Sequence, residues 1–554
     1  MPVAPTYPGV YIEEVQSSVH TIMGVPTSVA AFVGYAARGL VDTPVQVNSW
    51  ADYERAFGGL DPTSPMSYAV FLYFLNGGNT AQIVRAGAAD GSAAPACIAL
   101  STDVILAATS PGIWGNNLSA EVDTNGLRNT ATLFNLTITL ADGNNTLATE
   151  SYTGLSLTSG GVGSPGTAIT TALASSALMN VDPSSGLTTV PTAGIYAVPT
   201  TAKPPTAKAA AAAKAATDAP DAADTPPAGA PAAVTPPPPG GSVGVDVALA
   251  QLAVPGDPNA KTGIFALAKA DIFNMLCLPR ALGQTWGPNA DEDVISQAAK
   301  FCHDQRAMLI LDPPPAWVQA APPLDYQHVI DSPAITGQYA PNAAVYYPNL
   351  LFADPITNTT IPLGPCGAVA GVWASTDSTR AVWKAPAGTA AAIGGITDLS
   401  VHIDDSESGT LNPLAVNCLR TLPLVGPVSW GARTVAGADE LASQWKYIPV
   451  RRTALFIEES LRRGTQWVVF EPNDEPLWSS VRLNVGAFMN SLFKQGAFQG
   501  STPADAYLVQ CDADNNPQSS INQGILNILV GFQPLLPAEF VIIQIQQLVG
   551  QLQG

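Results

Sequence analysis

The chain has 554 residues, of which 47% are hydrophobic and only 12% are charged, and its net charge is −20 at neutral pH. Single hydrophobic cores rarely grow beyond about 250–300 residues, so several domains are expected. The acidic balance argues against a nucleic acid partner, because phosphate binding needs clustered cations. So few charges predict a surface that is neutral and polar or covered by other chains.

The N-terminal stretch MPVAPTYPGVYIEEV contains a short strand pattern, GVYIEEV. It has neither a basic n-region nor an apolar h-region, so no secretion signal is predicted. The longest apolar run, MSYAVFLYFL at 66–75, is too short for a membrane span, which needs roughly 18–20 such residues. Ser64 and Pro65 precede it as helix start signals and Gly77 follows as a stop, so this run predicts a buried helix.

Residues 96–200 predict an all-β domain, a small sandwich or barrel. Apolar and polar positions alternate through LFNLTITLADGNNTLATESYTGLSL, and the DGNN sequence at 142–145 is a hairpin signal. The following stretch, 201–242, is built almost wholly from Ala, Pro, Thr, Asp, Lys and Gly. It has no apolar period and cannot bury a core, so it predicts a solvated linker or exposed loop.

After the linker, short apolar strands alternate with helical patterns. The predicted strands are FNMLCLP, MLILDPP and QWVVF at 273–279, 308–314 and 466–470, and the predicted helices are at 291–307 and 451–464. This rhythm predicts a mostly parallel sheet with helices packed on it. A further helix is predicted at 476–494, where apolar residues spaced by three and four mark one buried face: Trp478, Val481, Val485, Phe488 and Leu492.

The stretch PAEFVIIQIQQLV at 537–549 predicts a terminal strand on which Val541, Ile543 and Ile545 point to the same face. Terminal residues usually fray, and an unpaired strand edge is an aggregation risk. The strand is therefore expected to have a partner, either within its own chain or in another subunit.

Three motifs imitate ligand sites. GVGSPG at 161–166 is a literal dinucleotide fingerprint, but it lies in a Ser/Thr/Gly-rich stretch of the β-like domain and predicts a flexible loop. DADNN at 512–516 begins like a calcium loop, but Pro517 and Gln523 stand where Gly and Glu are needed, so a turn is expected. HIDD at 402–405 predicts a helix start more than a metal site. No metal or cofactor is expected.

No catalytic constellation is recognisable. The chain has no GxSxG motif, and its four histidines, at 20, 303, 328 and 402, lie near no recognisable nucleophile motif. The six cysteines are scattered without a CxxC pair, which predicts buried reduced thiols in a chain made in the cytosol. The protein is therefore not expected to be an enzyme.

Seven stretches form a series along the chain: YPGVYIEEV, SVAAFVGYAARG, SPGIWGNNL, FNMLCLPR, VSWGARTVAG, KYIPVRRTALFIEESLRRGTQWVVFEPND and PAEFVIIQI. They resemble parts of the contractile tail sheath family. The first three are similar to its opening arm, its first core strand and the start of its inserted β domain. The next three are similar to its C-terminal core, and the last is similar to its closing strand. That family is shared by bacteriophage tails and phage-tail-like contractile injection systems. The order of the stretches makes the combination specific, whereas the linker and its flanks depart from the family pattern.

The resemblance implies an α/β core, with a mixed sheet and flanking helices, an inserted all-β domain, and extended strand arms at both termini. The expected divisions are an N-terminal arm at 1–20, the first part of the core at 21–95, a β-rich outer domain at 96–200, a linker or exposed loop at 201–245, the rest of the core at 246–533, and a C-terminal arm at 534–554. The residues expected to make inter-subunit contacts are Val10, Tyr11, Ile12, Val541, Ile543 and Ile545.

The resemblance also implies a structural subunit that polymerises as stacked rings, expected to be hexameric, around an inner tube. Contraction would drive the tube and its spike into a target envelope, with baseplate and terminal cap proteins as further partners. Arg482 and Lys494 are expected to face the tube. Assembly is expected in the bacterial cytoplasm. The subunit is expected to belong to a phage tail or a phage-tail-like particle, and the sequence leaves open whether that particle is released from the cell. The alternatives are a static self-assembling shell protein and a sheet-bearing enzyme with a disordered insertion.

Overall fold

The computed structural model describes residues 20–87, 94–143, 145–157, 166–199, 254–280, 290–314, 317 and 337–542. Its strands are β1 Ala30–Gly34, β2 Val45–Val47, β3 Ala81–Arg85, β4 Cys97–Ala99, β5 Ile105–Ala108, β6 Leu118–Asp123, β7 Phe134–Asp142, β8 Asn145–Ser156, β9 Thr167–Ala168, β10 Met179–Val181, β11 Gly194–Ala197, β12 Met275–Cys277, β13 Met308–Leu311, β14 Ala343–Tyr347, β15 Leu350–Asp354, β16 Thr359–Leu363, β17 Asp398–Leu399, β18 Val416–Leu422, β19 Gly426–Ser429, β20 Tyr507–Gln510 and β21 Leu529–Phe532. Its α-helices are α1 Trp50–Phe57, α2 Pro65–Leu75, α3 Ile169–Leu173, α4 Ala290–Asp304, α5 Cys366–Arg380, α6 Asp405–Leu411, α7 Ile448–Gly464, α8 Glu475–Lys494, α9 Pro503–Ala506 and α10 Gln518–Asn522.

The core is an eight-stranded sheet with the order β19-β18-β14-β13-β12-β1-β3-β2. The six central strands are parallel, and the edge strands β19 and β2 are antiparallel to their neighbours. Alternate residues of β1 enter two separate cores: Ala30 and Phe32 pack with α2, α5 and α7, whereas Ala31 and Val33 pack with α4. A parallel sheet covered on both faces explains why the strands are continuously apolar. The predicted mixed α/β architecture is confirmed.

Helix α2 is the buried helix expected from the apolar run at 66–75. The Ser64 hydroxyl accepts a hydrogen bond from the backbone N–H of Ser67 as the N-cap, and Gly77 follows the helix with φ +103°. The neighbouring α5 approaches its backbone closely, because a Cβ at Gly367 would lie 2.2 Å from the Ala69 carbonyl oxygen. A larger side chain at that position would push the two helices apart.

Residues 94–199 lie between β3 and β12 in the sequence. They form a five-stranded sheet, β11-β6-β7-β8-β9, and a three-stranded sheet, β10-β5-β4. Both sheets share one apolar cluster that is separate from the two core clusters. The DGNN hairpin is confirmed, since Asp142 pairs with Asn145 across the end of β7 and β8. A short α-helix, α3, and a 3₁₀ helix at Ile113–Asn117 interrupt the β structure, and the role of this region as an outer domain stays a prediction.

The predicted strand at 466–470 is wrong. The backbone N–H groups of Val468 and Val469 donate to carbonyls three residues earlier, which makes a 3₁₀ turn over Gln466–Val468. Phe470 is fully exposed with φ +73°. A run of β-branched and aromatic residues forms a strand only where a neighbouring strand is available, and here local turn hydrogen bonds take its place. The preceding helix also begins earlier than predicted, at Ile448 rather than 451.

Several sequence-based expectations lie outside the described residues. These are the GVGSPG loop apart from Gly166, the linker at 201–245, the N-terminal arm through residue 19, and the chain after 542. The described part of the predicted closing strand, 537–542, has no strand partner within the described ranges. No helix among the described residues is long and apolar enough to cross a membrane.

Candidate functional site

The described start of the chain, residues 20–28, lies along helix α7. The backbone N–H of Val25 donates to the Ser460 hydroxyl at 3.2 Å. Ile22 packs so closely on Gly464 that a Cβ there would lie 2.6 Å from its methyl carbon. The ring of His20 stacks on Trp467 with ring centroids 4.1 Å apart. We call residues 20–28 the N-terminal root.

A buried ion pair binds the N-terminal root at Thr27, near the end of the root that leads into the core. The Arg452 guanidinium donates two hydrogen bonds to the Asp377 carboxylate, at 2.8 and 2.6 Å, and the two side chains are 3% and 4% exposed. Thr27 joins the pair through its hydroxyl, which donates to Asp377 at 2.7 Å, and its carbonyl, which accepts from Arg452 at 3.0 Å. The guanidinium also lies over the Trp373 ring at 4.8 Å. A bidentate, stacked arginine is held in one geometry, so Thr27 is held with it.

The C-terminal segment, residues 533–542, is attached through Glu539. Its carboxylate accepts two hydrogen bonds from the Arg433 guanidinium, at 2.8 and 2.7 Å, and one from the Tyr447 hydroxyl at 3.1 Å. On the same segment Leu536, Phe540 and Ile542 are 63%, 76% and 85% exposed. We call residues 533–542 the C-terminal root; its described hydrogen bonds to the core beyond 534 all involve this carboxylate, and Leu535 and Pro537 are half-buried.

Other hydrogen bonds hold the Arg433 guanidinium in position beside Glu539. Its side chain is 1% exposed and also donates to the Asn412 carbonyl at 2.9 Å and to Asp439 at 3.0 Å. Burial opposes ionisation of Glu539, but the hydrogen bonds and charge of Arg433 outweigh it and hold the pKa of that carboxyl below its usual range. The carboxylate is therefore ionised and bound near neutral pH.

Helix α7 connects the two roots. Tyr447, which binds the C-terminal root, is its N-cap, whereas the N-terminal root runs to Gly464 at its last turn and Trp467 beyond. Seventeen residues at a rise of 1.5 Å span about 25 Å. The two terminal segments therefore leave the core from opposite ends of one helix.

A two-stranded antiparallel sheet, β20 and β21, lies in the C-terminal region. Neither strand has a second neighbour among the described strands, so each presents a free edge. Leu508 and Leu529 on these strands are 53% and 51% exposed. An isolated pair of strands is marginally stable in water, and these free edges are suited to pairing with a further strand.

The structure describes three of the eight residues that the sequence predicted for interfaces. Val541 is 79% exposed at the end of the C-terminal root. Arg482 on α8 pairs with Glu475 at 2.5 Å and donates to the Cys511 carbonyl, whereas Lys494 is exposed and makes no ion pair among the described residues. The remaining five, Val10, Tyr11, Ile12, Ile543 and Ile545, lie outside the described residues.

Sequence reasoning missed the residues that hold the roots. Arg433, Arg452 and Glu539 each lie inside a stretch that carried the family resemblance, VSWGARTVAG, KYIPVRRT and PAEFVIIQI. For Arg433 and Glu539 the available signal was a lone charge in an apolar stretch of a chain with few charges, whereas Arg452 directly follows another arginine. Such residues are rarely buried without a partner, but the partner is distant in sequence and only the fold reveals it.

The carboxyl edge of the sheet, where α/β enzymes bind their ligands, holds Asp312 and Cys366. The Cys366 thiol donates to Asp312 at 3.3 Å, and its side chain is 1% exposed. Burial, followed by its neighbours Cys277 and Asp312, raises the pKa of this thiol well above its ordinary value. A buried neutral thiol is not an activated nucleophile.

The described residues confirm that HIDD is a helix start and that DADNN is a turn. Asp404 caps α6 in a capping box with Glu407, so HIDD is a helix start, and Asp512 accepts hydrogen bonds from the backbone of Asp514 and Asn515 in a turn. All six cysteines are free thiols, five of them buried and Cys97 partly exposed. No cluster of three metal-ligating side chains occurs among the described residues.

Comparison with known proteins identifies the C-terminal region. Residues 440–547, which include α7, α8, the two-stranded sheet and Glu539, match the family described as phage tail sheath C-terminal domain. The predicted resemblance to the tail sheath family is confirmed. A tail sheath protein of Vibrio phage KVP40 is 26% identical over 227 residues, which are 41% of this chain and 32% of that protein. The match thus spans about a third of the curated relative.

Solved sheath structures share the fold over nearly the whole chain. The sheath complex of an extracellular contractile injection system, PVC, in its contracted state has a TM-score of 0.55 at 22% identity, covering 99% of both chains. The contracted helical sheath of the anti-feeding prophage has a TM-score of 0.52 at 21% identity, covering 98% of this chain and 100% of that one. The sheath fold therefore extends beyond the C-terminal domain.

Proposed function

We propose that this protein is the sheath subunit of a contractile injection machine. The observation that carries the proposal is the sheath fold over almost the full chain, joined to a sheath C-terminal domain from which exposed terminal segments leave. Subunits stack as rings, expected to be hexameric, around an inner tube. The work of contraction comes from the free-energy difference between two packings of the same subunits, without bond chemistry.

In this proposal the terminal segments join neighbouring subunits by strand addition. The C-terminal arm, with Val541, Ile543 and Ile545, pairs with the free edge of β20 or β21 in another copy, and Val10, Tyr11 and Ile12 make the corresponding N-terminal contact. A net backbone hydrogen bond is worth about 0.5–1.5 kcal/mol. A six-residue strand then contributes several kcal/mol before ordering costs, repeated at every subunit.

Two truncations test the arm proposal, because the position of Glu539 makes the simple deletion ambiguous. Removal of 537–554 also takes away the partner of buried Arg433, whereas removal of 543–554 keeps it. We expect the shorter truncation to give a folded, soluble subunit that forms no sheaths in negative-stain electron microscopy. Normal sheaths from that truncation would contradict the arm proposal, and an unfolded product would point to packing within the chain.

The inner tube is proposed to contact helix α8. Reversal of Arg482 also breaks its pair with Glu475, so Lys494→Glu is the cleaner probe and Arg482→Glu the second. We expect the double reversal to uncouple sheath from tube while leaving the subunit folded. Unchanged co-assembly of sheath and tube in a pull-down would contradict this assignment.

The β-rich region and the linker at 201–245 are proposed to lie on the outside of the polymer. Removal of 201–242, with the flanking residues joined by a short Gly/Ser linker, should leave assembly intact. A loss of assembly would indicate that the segment packs between subunits.

The same microscopy distinguishes the alternative functions. Long striated tubes of two diameters indicate a contractile sheath, sheets indicate a static shell, and small particles favour an enzyme. We further propose that baseplate and terminal cap proteins bind the ends of the polymer, and that it assembles in the bacterial cytoplasm as part of a phage tail or a phage-tail-like particle.

A further inference from the structure

The chain contains two Asn-Gly dipeptides, Asn76-Gly77 and Asn125-Gly126. In such a pair the backbone nitrogen of the glycine can attack the side-chain amide of the asparagine, because glycine has no Cβ to obstruct the approach. The reaction releases ammonia and is called deamidation. Since the two dipeptides are chemically identical, a difference in their reactivity must come from the structure around them.

The structure engages both reacting groups of Asn76-Gly77. The Asn76 side-chain nitrogen donates to the Leu72 carbonyl at 2.8 Å and to the Gly394 carbonyl at 3.2 Å, and the side-chain oxygen accepts from the Gly394 backbone N–H at 2.7 Å. The backbone N–H of Gly77 donates to the Phe74 carbonyl at 3.3 Å. Local unfolding at the end of α2 must therefore precede a reaction between these two groups.

Asn125-Gly126 lies in an exposed turn between β6 and β7. The backbone N–H of Leu127 donates to the Thr124 carbonyl at 3.2 Å, which places Asn125 and Gly126 at the two central positions of the turn. Neither the Asn125 side chain nor the Gly126 backbone N–H makes a hydrogen bond among the described residues.

Solvent reaches the same two groups directly. Asn125 and Gly126 are both exposed. Apart from the chain neighbours of Gly126, no described atom lies within 4 Å of the position that a Cβ on this glycine would take. Base can therefore remove the proton from the Gly126 nitrogen, and the Asn125 side chain can turn toward it, without the loss of a native contact.

We propose that Asn125 is a site of spontaneous deamidation, whereas the fold protects Asn76. The Gly126 backbone nitrogen loses its proton to base and forms a bond to Cγ of Asn125. The bond from Cγ to Nδ2 breaks, and Nδ2 takes up a proton and leaves as ammonia. Water then opens the resulting succinimide ring. Attack at Cγ gives aspartate, and attack at the main-chain carbonyl carbon gives isoaspartate, in which the backbone runs through the side chain. This site goes beyond the proposed sheath function and does not depend on it.

The hydrogen bonds around the turn determine the effect of the product. The Asp123 carboxylate accepts from the Asn125 backbone N–H at 2.7 Å and from the Asn135 side chain at 2.8 Å. The Asn135 amide also donates to the Asn125 carbonyl at 3.1 Å and accepts from the Gly154 backbone N–H on β8 at 3.0 Å. Either product places a new carboxylate near that of Asp123, and like charges repel. Isoaspartate also lengthens the main chain by a carbon atom, so the turn should loosen where it meets β7 and β8.

Incubation of the full-length protein at mildly alkaline pH tests the assignment. Peptide mass spectrometry should show that Asn125 is converted to aspartate and isoaspartate at least about tenfold faster than Asn76, because Asn76 reacts only after its hydrogen bonds have opened. In denaturant, where neither dipeptide keeps its native contacts, the two rates should be similar. Equal rates in the folded chain, or a faster reaction at Asn76, would overturn the proposal.

Trypsin cleavage after Arg128 tests the effect on the turn. Arg128 is exposed and follows the turn directly. Cleavage there should be severalfold faster in incubated protein than in fresh protein. Incubation should not change the cleavage rate of Asn125→Gln, because the longer glutamine side chain closes a less favoured ring. Unchanged cleavage of the incubated protein would overturn the loosening of the turn, and an equal increase in Asn125→Gln would overturn its assignment to Asn125.

Discussion

The two roots are held to the same helix in different ways. The N-terminal root contacts α7 repeatedly, from Arg452 through Ser460 to Gly464, and ends inward on an ion pair that is almost fully buried. Beyond 534 the described hydrogen bonds of the C-terminal root all involve Glu539, which is 16% exposed; the segment alternates between half-buried and exposed side chains.

This difference separates a continuous attachment from a point attachment. Several contacts along a helix fix both the position and the direction of a segment, whereas a single bidentate pair fixes position and leaves the flanking residues free to turn. In the proposed sheath, the N-terminal root is then the rigid connection, and the C-terminal root is the pivot about which neighbouring subunits change their angle.

The largest expected effect comes from breaking the inner end of the N-terminal root. Asp377→Asn leaves the buried Arg452 without a carboxylate, and loss of one partner of a buried ion pair costs about 3–5 kcal/mol. Chemical denaturation should show this loss in the free energy of unfolding of the core. The matched control is Glu475→Gln, which breaks the exposed pair with Arg482 and should cost less than about 1 kcal/mol. Equal effects would contradict the distinction.

A smaller and more local effect is expected from Glu539→Gln. The amide accepts fewer and weaker hydrogen bonds from Arg433, which retains Asp439 and the Asn412 carbonyl, so the cost should be about 2 kcal/mol. Limited proteolysis should become faster at 533–542 and stay unchanged at 20–28. The exposed Glu440→Gln provides the control, and faster cleavage in both roots would show that they are not independent.

Low pH should also release the C-terminal root, because protonation of Glu539 weakens its bond to Arg433. The pKa of Glu539 in the folded protein lies below its ordinary value of 4.5. The ionised carboxylate therefore stabilises the protein fully above the pKa that Glu539 has in the unfolded chain. This stabilisation is lost as the pH falls through the lower pKa of the folded state. Cleavage at 533–542 by an acid-stable protease should therefore become faster below about pH 4.5, relative to an unfolded peptide of the same sequence. The Glu539→Gln variant should lack this component, and an identical pH profile in that variant would assign the transition to other carboxyls.

The smallest expected effect is that of Thr27→Val. It removes the hydroxyl that donates to Asp377 but keeps the carbonyl bond to Arg452 and the remaining contacts along α7. The loss should be about 1 kcal/mol in thermal or chemical unfolding, without detachment of residues 20–26 in hydrogen exchange. Detachment of the whole root would mean that Thr27 alone holds it, which would contradict a continuous attachment.

Local patterns predicted several elements correctly because their determinants are near in sequence. The three- and four-residue spacing in α8 specified its buried face, Ser64 and Pro65 marked the start of α2, and the DGNN sequence marked the β7–β8 hairpin. The QWVVF segment failed because strand formation depends on a neighbour, and the fold supplies a turn there instead.

The amino-acid sequence by itself determined the alternation of strands and helices, the buried helical faces and the resemblance to tail sheaths, since these depend on periodicity and on short ordered motifs. Only the tertiary structure decided that Asp377 meets Arg452 and that Glu539 meets Arg433, pairs separated by 75 and 106 residues. It also decided that both roots meet one helix. The physical reason is that a buried charge requires a partner but does not specify where along the chain that partner lies.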